Sequence, residues 1–347
     1  MSVEFLPHVE RMSGYTPGEQ PRELSTIKLN TNENPYPPSP RALDAIRKAA
    51  GENLRRYPDP LGTAFRETAA RLHGVTADMI MPGNGSDDVL TILTRAFVGP
   101  GGVVLSPTPS YILYRTLAEI QDARLIEFPF GPDWSIDPSA FTHPEARLAF
   151  LANPNSPSGT RLSPEQVGAL AKRCACPLVV DEAYADFAET HCLGLIAEFP
   201  HVIVTRSFSK GYSLAGLRLG YAVARPEVIA GLVKVKDSYN CDTLSLAGGA
   251  AALEDQAHFR ANRDRVRATR RRLTDALRSL GFSCPESQAN FVWCEGRPDA
   301  PAIHQALKDR QILVRLMRYP GLPPGLRITV GTDAEVDRLL EELGKLI

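Results

Sequence analysis

From residue 41 onward, amphipathic stretches of helical period alternate with short apolar or β-branched runs: VVL at 103–105, RLIEF at 124–128, LAFL at 148–151, LVV at 178–180, VIVT at 202–205 and GYAVA at 220–224. Strands interleaved with helices predict an α/β fold with a mostly parallel central sheet covered on both faces. Helix ends are signalled too. Ser163, Pro164 and Gln166 make a capping-box pattern with proline at the first helical position, ahead of QVGALAKR. Residues 255–280 predict one long helix, with Phe259, Val266, Leu273, Leu277 and Leu280 on its apolar face and Gly281 ending it.

Two regions break this rhythm. Residues 1–40 end in NTNENPYPPSP, whose closely spaced prolines oppose regular helix, and predict an arm lying over the rest. Beyond Gly281, the runs FVWC, ILVR and LRITV with helices between them predict a smaller α+β unit. The expected organisation is an arm at 1–40, a large unit at 41–254 and a small unit at 255–347 to which the arm contributes.

A chain of 347 residues has room for roughly two domains at about 100–200 residues each. With 43% hydrophobic and 23% charged residues, global disorder is excluded. Lys and Arg total 39 against 40 Asp and Glu, a net charge of -1, so no long-range field gathers nucleic acid or anionic lipid. An anionic ligand must be held locally. The arginines between Arg263 and Arg272 have no aromatic residue interleaved and read as a solvated helix face. No apolar run approaches the roughly 20 residues that span a bilayer, and MSVEFLPHVERM lacks a signal-peptide pattern, so a cytoplasmic protein is expected. The six cysteines are scattered without zinc-ligand spacing and read as reduced thiols, with no metal site expected.

Candidate chemistry falls after the predicted strands. In VIVTRSFSKGYSLAGLRLGYAVA, Lys210 is an amine able to bond a carbonyl cofactor, and Ser207, Ser209 and Arg218 are donors suited to a phosphate. In LVVDEAYADF, Asp181 ends a buried strand at the sheet edge where open α/β folds bind ligands; its carboxylate suits a protonated ring nitrogen, and Tyr184 a ring oxygen. In MPGNGSDDVLTILTRAF, Gly85, Ser86 and Asp87 open a helix whose free amides favour a phosphate. This is neither the dinucleotide glycine pattern nor a P-loop, which disfavours a nicotinamide enzyme. NPNSPSG at 153–159 brings side-chain amides to the same edge, and Tyr111 in SPTPSYILY is placed to stack on a flat ring. Singly, each has an ordinary structural explanation. Together they supply what pyridoxal phosphate requires.

At these residues the chain resembles fold-type I pyridoxal-phosphate aminotransferases and, within them, the histidinol-phosphate aminotransferase family, over essentially its full length. LNTNENPYPP resembles the family's arm, RYPDP its cross-subunit tyrosine segment, GNGSDD its phosphate turn, DEAY its pyridine carboxylate, SFSK with GLR its lysine and phosphate arginine, and LRITVG its carboxylate-binding arginine. The resemblance implies that Lys210 bonds the cofactor, Asp181 pairs with its ring nitrogen, Tyr184 donates to its ring oxygen and Tyr111 stacks on it. It implies that Gly85, Ser86, Asp87, Ser207, Ser209 and Arg218 surround the phosphate, with Tyr57 arriving from the other subunit of a homodimer. Arg327 would bind the carboxylate of glutamate and the phosphate of histidinol phosphate in turn, with Asn32, Asn34 and Arg315 also on the substrate side. Ser156 departs from the family, which has asparagine there on the ring oxygen; Asn155 or a water is the candidate replacement. The implied reaction is ping-pong transfer of an amino group between L-histidinol phosphate and 2-oxoglutarate. A threonine-phosphate-decarboxylase-like enzyme, or an aromatic or broad-specificity aminotransferase, is the alternative.

Overall fold

The computed structural model describes residues 3–14, 17–21, 23, 25–295, 297 and 299–347. Its strands, in chain order, are β1 (Ile27–Leu29), β2 (Ile80–Gly83), β3 (Val103–Thr108), β4 (Arg124–Pro129), β5 (Ala146–Ala152), β6 (Leu178–Asp181), β7 (Val202–Ser207), β8 (Gly220–Val223), β9 (Phe291–Cys294), β10 (Ile312–Met317) and β11 (Gly325–Thr329). The larger sheet runs β2-β8-β7-β6-β5-β3-β4. It is parallel except for β8, which is antiparallel to both neighbours. Every strand expected between 103 and 224 is present.

Register fixes what meets at the carboxyl edge of this sheet. Asp181 lies level with Ala152 on β5 and Thr205 on β7, and Ser207 with Gly220 on β8. Separate apolar cores pack the two faces, one around Leu105, Leu151, Val180 and Val204, the other around Val104, Phe150, Val179 and Ile203. Consecutive strand residues feed opposite cores, so the apolar runs need no polar alternation. The capping box at Ser163 and Gln166 forms as expected.

The smaller sheet has the order β1-β10-β11-β9, with β1 parallel to β10 from Ile27 against Ile312. The arm therefore does more than lie over the chain: residues 27–29 are an edge strand of the small sheet. Its core holds Leu29, Val266, Leu273, Leu277, Val292 and Leu326. The long helix spans Gln256–Ser279, and Gly281 follows its cap with a φ of 83°. Phe259, at its start, stacks instead on Tyr212, which precedes β8. The arginine face of this helix is not wholly solvated. Arg270 is buried, and its Nη1 donates to the carbonyls of Phe187 and Ala289, because each lies where a helix C-terminal or loop carbonyl would otherwise lack a donor. The six cysteines are buried free thiols. Among the described residues no helix is long and apolar enough to cross a membrane.

Candidate active site

A cavity opens at the carboxyl edge of the larger sheet and is lined from four directions: the arm, the turns after β2 and β3, the ends of β6 and β7, and the small sheet. Lys210, Asp181, Tyr184, Tyr111, Ser86, Ser207, Ser209, Arg218, Arg315 and Arg327 all reach it, as do Asn32, Asp87 and Ser156. Residues spread over more than 200 positions converge because Ser86, Tyr111, Ser156, Asp181, Tyr184, Ser207 and Lys210 lie at or beyond strand ends of the larger sheet, while Arg315 and Arg327 reach in from β10 and β11 of the smaller one.

Asp181 is fully enclosed. Its Oδ1 accepts from Thr205 Oγ1 at 3.0 Å and from the Ala183 amide at 3.3 Å, while Oδ2 accepts from the Tyr114 hydroxyl at 2.9 Å. Burial pushes this carboxyl up to about 6, and the hydrogen bonds from Tyr114 and Thr205 oppose the rise. Lys210 has the opposite problem. Burial, aided by the charge of Arg327, lowers its ammonium to about 8, so the neutral amine is a minority form at pH 7 but far more abundant than for an exposed lysine. Its Nζ donates to the Thr31 carbonyl at 3.1 Å.

The phosphate-suited residues cluster at the helix Ser86–Phe97. Gly85 has a φ of 89°, and a Cβ there would come within 2.7 Å of Arg218 Nη2, so glycine lets the guanidinium lie across the turn. Arg218 Nη1 is 3.4 Å from Ser209 Oγ. Asp87 lines the cavity beside them. Its Oδ1 accepts from the Tyr111 hydroxyl at 3.2 Å and its Oδ2 lies 3.6 Å from Arg218, so the carboxylate orients two lining groups, where facing a phosphate would be repulsive. Tyr111 packs edge-on against Tyr114, with centroids 5.6 Å apart.

Two further expectations change. Asn155 is buried away from the cavity: its amide donates to Pro109 O and Ser158 Oγ, and its Oδ1 accepts from Ser110. It is committed to its own turn and does not replace the family asparagine. Ser156 does line the cavity, and its Oγ accepts from Arg327 Nη1 at 3.0 Å. Asn34 holds the carbonyls of Lys210 and Gly211 at 3.0 and 3.3 Å and does not line the cavity. Tyr57 is 79% exposed, stacked on Tyr239 at 4.4 Å, and stands outside the cavity of its own chain. Arg327 Nη2 also donates to the Asn30 carbonyl at 3.2 Å, while Arg315 Nη1 donates to the Pro17 carbonyl at 3.2 Å.

Tyr114, Thr205 and Thr31 were not legible as site residues, yet they hold Asp181 and Lys210. A signal existed for two of them: Tyr114 lies one helical turn after Tyr111, and Thr205 lies level with Asp181 if β6 and β7 are parallel neighbours. The buried amine, the enclosed carboxylate and the serine–arginine cluster sharing one cavity fit the three poles of pyridoxal phosphate: aldehyde, ring nitrogen and phosphate.

Comparison with known proteins agrees with this geometry. Residues 25–343 match the family model described as aminotransferase class I and II. A histidinol-phosphate aminotransferase of Rhodopirellula baltica is 49% identical over 96% of this chain and 93% of its own length. Another, from Trichormus variabilis, is 45% identical over the whole of both chains. Among solved structures, that of histidinol-phosphate aminotransferase from Sinorhizobium meliloti in complex with pyridoxal-5'-phosphate superposes with a TM-score of 0.91 at 28% identity, covering 100% of this chain and 99% of that one. The fold is also that of the aspartate aminotransferase of Thermus thermophilus, at 21% identity and a TM-score of 0.81 over 93% of this chain and 92% of that one.

Proposed function

The chain belongs to the class I and II aminotransferases, in the histidinol-phosphate aminotransferase family, and from that premise we propose that it moves an amino group between L-histidinol phosphate and 2-oxoglutarate, with imidazole acetol phosphate and glutamate as counterparts. The cofactor is pyridoxal phosphate. The observation that carries the reading is that Lys210, Asp181 and Arg327 line one cavity.

When bound, pyridoxal phosphate supplies an electron sink that lets an α-hydrogen leave as a proton. The rest falls to side chains. Lys210 would anchor the cofactor, and its amine, when free, would take the proton from the substrate α-carbon and return it on the product side; its lowered basicity suits both tasks. A positioned proton carrier of this kind contributes about 10²- to 10⁴-fold. Asp181 holds a proton on the ring nitrogen, Tyr184 donates to the ring oxygen and Tyr111 covers the ring face. Ser86, Ser207, Ser209 and Arg218 would hold the phosphate, Arg218 lying 3.6 Å from Asp87. Arg327 pairs with the carboxylate of glutamate in one half-reaction and the phosphate of histidinol phosphate in the other. Two substrates sharing one arginine must occupy the site in turn, which is the ping-pong order.

We further infer that the active unit is a homodimer. Tyr57 stands near exposed Leu54, Leu61 and Tyr239, and an open cleft lined by Pro58, Leu246, Ala247 and Ala250 adjoins it. A second copy covering this face would receive Tyr57 at its own phosphate pole.

The test is an assay of the purified holoenzyme with L-histidinol phosphate and 2-oxoglutarate, read as glutamate formed, beside threonine phosphate read as carbon dioxide released. Glutamate formation with the highest kcat/KM for histidinol phosphate is expected. Carbon dioxide release without need of a keto acid, or higher kcat/KM with an aromatic amino acid, would overturn the substrate assignment.

A further inference from the structure

Asn32 has every feature of a residue held in place to hold another. It is 1% exposed and sits at a φ of 59°, a left-handed conformation that asparagine tolerates better than most residues. Its backbone N–H donates to Thr329 Oγ1 at 3.0 Å, and its carbonyl accepts from Asn290 Nδ2 at 2.9 Å. Both contacts tie it to the small sheet, two residues along β11 from Arg327.

Its side chain bridges the same sheet and Tyr184. The Thr329 oxygen already accepts the Asn32 N–H, so the Thr329 hydroxyl hydrogen goes to Asn32 Oδ1 at 3.0 Å. That contact sets which end of the amide is oxygen and leaves Nδ2 pointing at the Tyr184 hydroxyl oxygen, 2.9 Å away. A phenol oxygen that accepts from an amide keeps its single hydrogen for a different acceptor, and the donated bond polarises the O–H.

We propose that Asn32 is a positioning residue that fixes the direction of the Tyr184 proton, turning it toward the ring oxygen of the cofactor, and so couples the seating of the small sheet to the electronics of the site. The neighbouring arm residues act in the same sense: Asn30 O holds Arg327, Thr31 O holds Lys210 and Asn34 holds the backbone at 210–211. The inference rests on the reading of Tyr184 given above, and Tyr184→Phe tests that reading separately.

The experiment is a pH titration of the cofactor's visible absorption band in the holoenzyme, for the unaltered protein, Tyr184→Phe, Asn32→Gly, Asn32→Asp and the double variant Asn32→Gly/Tyr184→Phe. Glycine accepts the φ of 59° without strain and keeps both backbone bonds, so Asn32→Gly removes the amide alone. Aspartate keeps the Thr329 contact and turns the donor into an acceptor that draws the Tyr184 proton away. Loss of a donor to the ring oxygen stabilises negative charge there less, so the midpoint rises. Asn32→Gly should raise it by roughly 0.5 to 1 pH unit, the size expected of one weakened hydrogen bond. Asn32→Asp should raise it further, toward the value for Tyr184→Phe, and Asn32→Gly should add nothing once Tyr184 is Phe. An unshifted midpoint in Asn32→Gly, additive shifts in the double variant, or loss of the band with a fall in Tm in both Asn32 variants would overturn the proposal; the last would make Asn32 a structural strut. A midpoint unmoved by Tyr184→Phe would instead overturn the role of Tyr184.

Discussion

The hydroxyl of Tyr114 donates to Oδ2 of Asp181 at 2.9 Å, from a phenol as deeply buried as the carboxylate it serves. Stacking on Phe150, with centroids 4.5 Å apart and planes 6° from parallel, holds the ring in place. The bond favours the ionised carboxylate against the burial that raises it to about 6. Tyr114→Phe deletes the donor with little change of shape. The carboxyl should then stay protonated to higher pH, and the acid limb of the kcat profile should move up by roughly one unit, the equivalent of one hydrogen bond. A profile that falls uniformly without moving would show that Tyr114 acts only by packing.

Asp181 also makes stability depend on pH in a definite sense. Its folded value of about 6 lies above the ordinary 3.8, so its contribution is fully present below the unfolded value and is lost as pH rises through about 6. At neutral pH the apoprotein holds a buried carboxylate without a cation beside it. A protonated ring nitrogen supplies that cation. The gain in Tm on adding pyridoxal phosphate to apoprotein should therefore be larger at pH 7.5 than at pH 5, by calorimetry; a gain that is equal or larger at pH 5 contradicts this.

How much of this was readable beforehand varies with the kind of contact. Strand runs such as LVV at 178–180 and VIVT at 202–205 were legible because a strand buried on both faces must be continuously apolar, and Lys210, Asp181 and Arg218 because their chemistry follows such strands. Within the arm expected to contribute to the small unit, Ile27–Leu29 is too short for a strand signal of its own and forms one only because β10 offers it an edge. Asn155 and Asp87 have the composition of ligand-binding residues, but competing local acceptors and donors, Pro109 O and Arg218 among them, take their polar groups. Such competition is decided by tertiary geometry, which sequence spacing does not carry. Arg270 is the same lesson reversed, a cation in an arginine-rich helix taken inside by two carbonyls.

Arg327 is the group on which both substrates depend in the proposed cycle. Its guanidinium is preset by Ser156 Oγ at 3.0 Å and Asn30 O at 3.2 Å, and lies over the Phe291 ring at 5.3 Å. Arg327→Ala should raise KM for glutamate and for histidinol phosphate together, each by roughly 10- to 100-fold, since each loses a charge-assisted pair of about 1.5–3 kcal/mol. Steady-state kinetics with each substrate varied in turn checks this. A rise for one substrate alone would separate the two anion sites and move attention to Arg315, which lines the same cavity.

Tyr57 gives the dimer a test independent of any sizing experiment. Neither Lys210→Ala nor Tyr57→Phe should support full turnover, the first for want of the proton carrier and the second for want of a phosphate contact worth about 1.5–3 kcal/mol. In a mixed dimer, one site would take an intact Lys210 from one copy and an intact Tyr57 from the other. Unfolding and refolding the two variants together should yield more activity per milligram than either refolded alone. No gain, with exchange of subunits verified by native mass spectrometry, would refute the shared site.

Beneath the cavity floor, Arg206 Nε lies 2.9 Å from Glu182 Oε2 and its Nη1 3.2 Å from Asp186, with all three side chains at least nine-tenths buried. Glu182 directly follows Asp181, Asp186 follows Tyr184 by two residues, and Arg206 directly precedes Ser207, so the triad joins the ends of β6 and β7 that carry the site. Low dielectric makes each charge dependent on the others: burial and the Arg206 cation compete at Asp186, which stands at about 6. Glu182→Gln removes one of the two carboxylates that offset the buried Arg206 cation, and should cost about 3–5 kcal/mol, as breaking a buried pair does. Arg47→Ala, which breaks an exposed pair with Asp44, should change stability by under about 0.5 kcal/mol. Denaturant melts at fixed cofactor concentration compare the two directly, and equal costs would mean that the triad contributes no more than a surface contact.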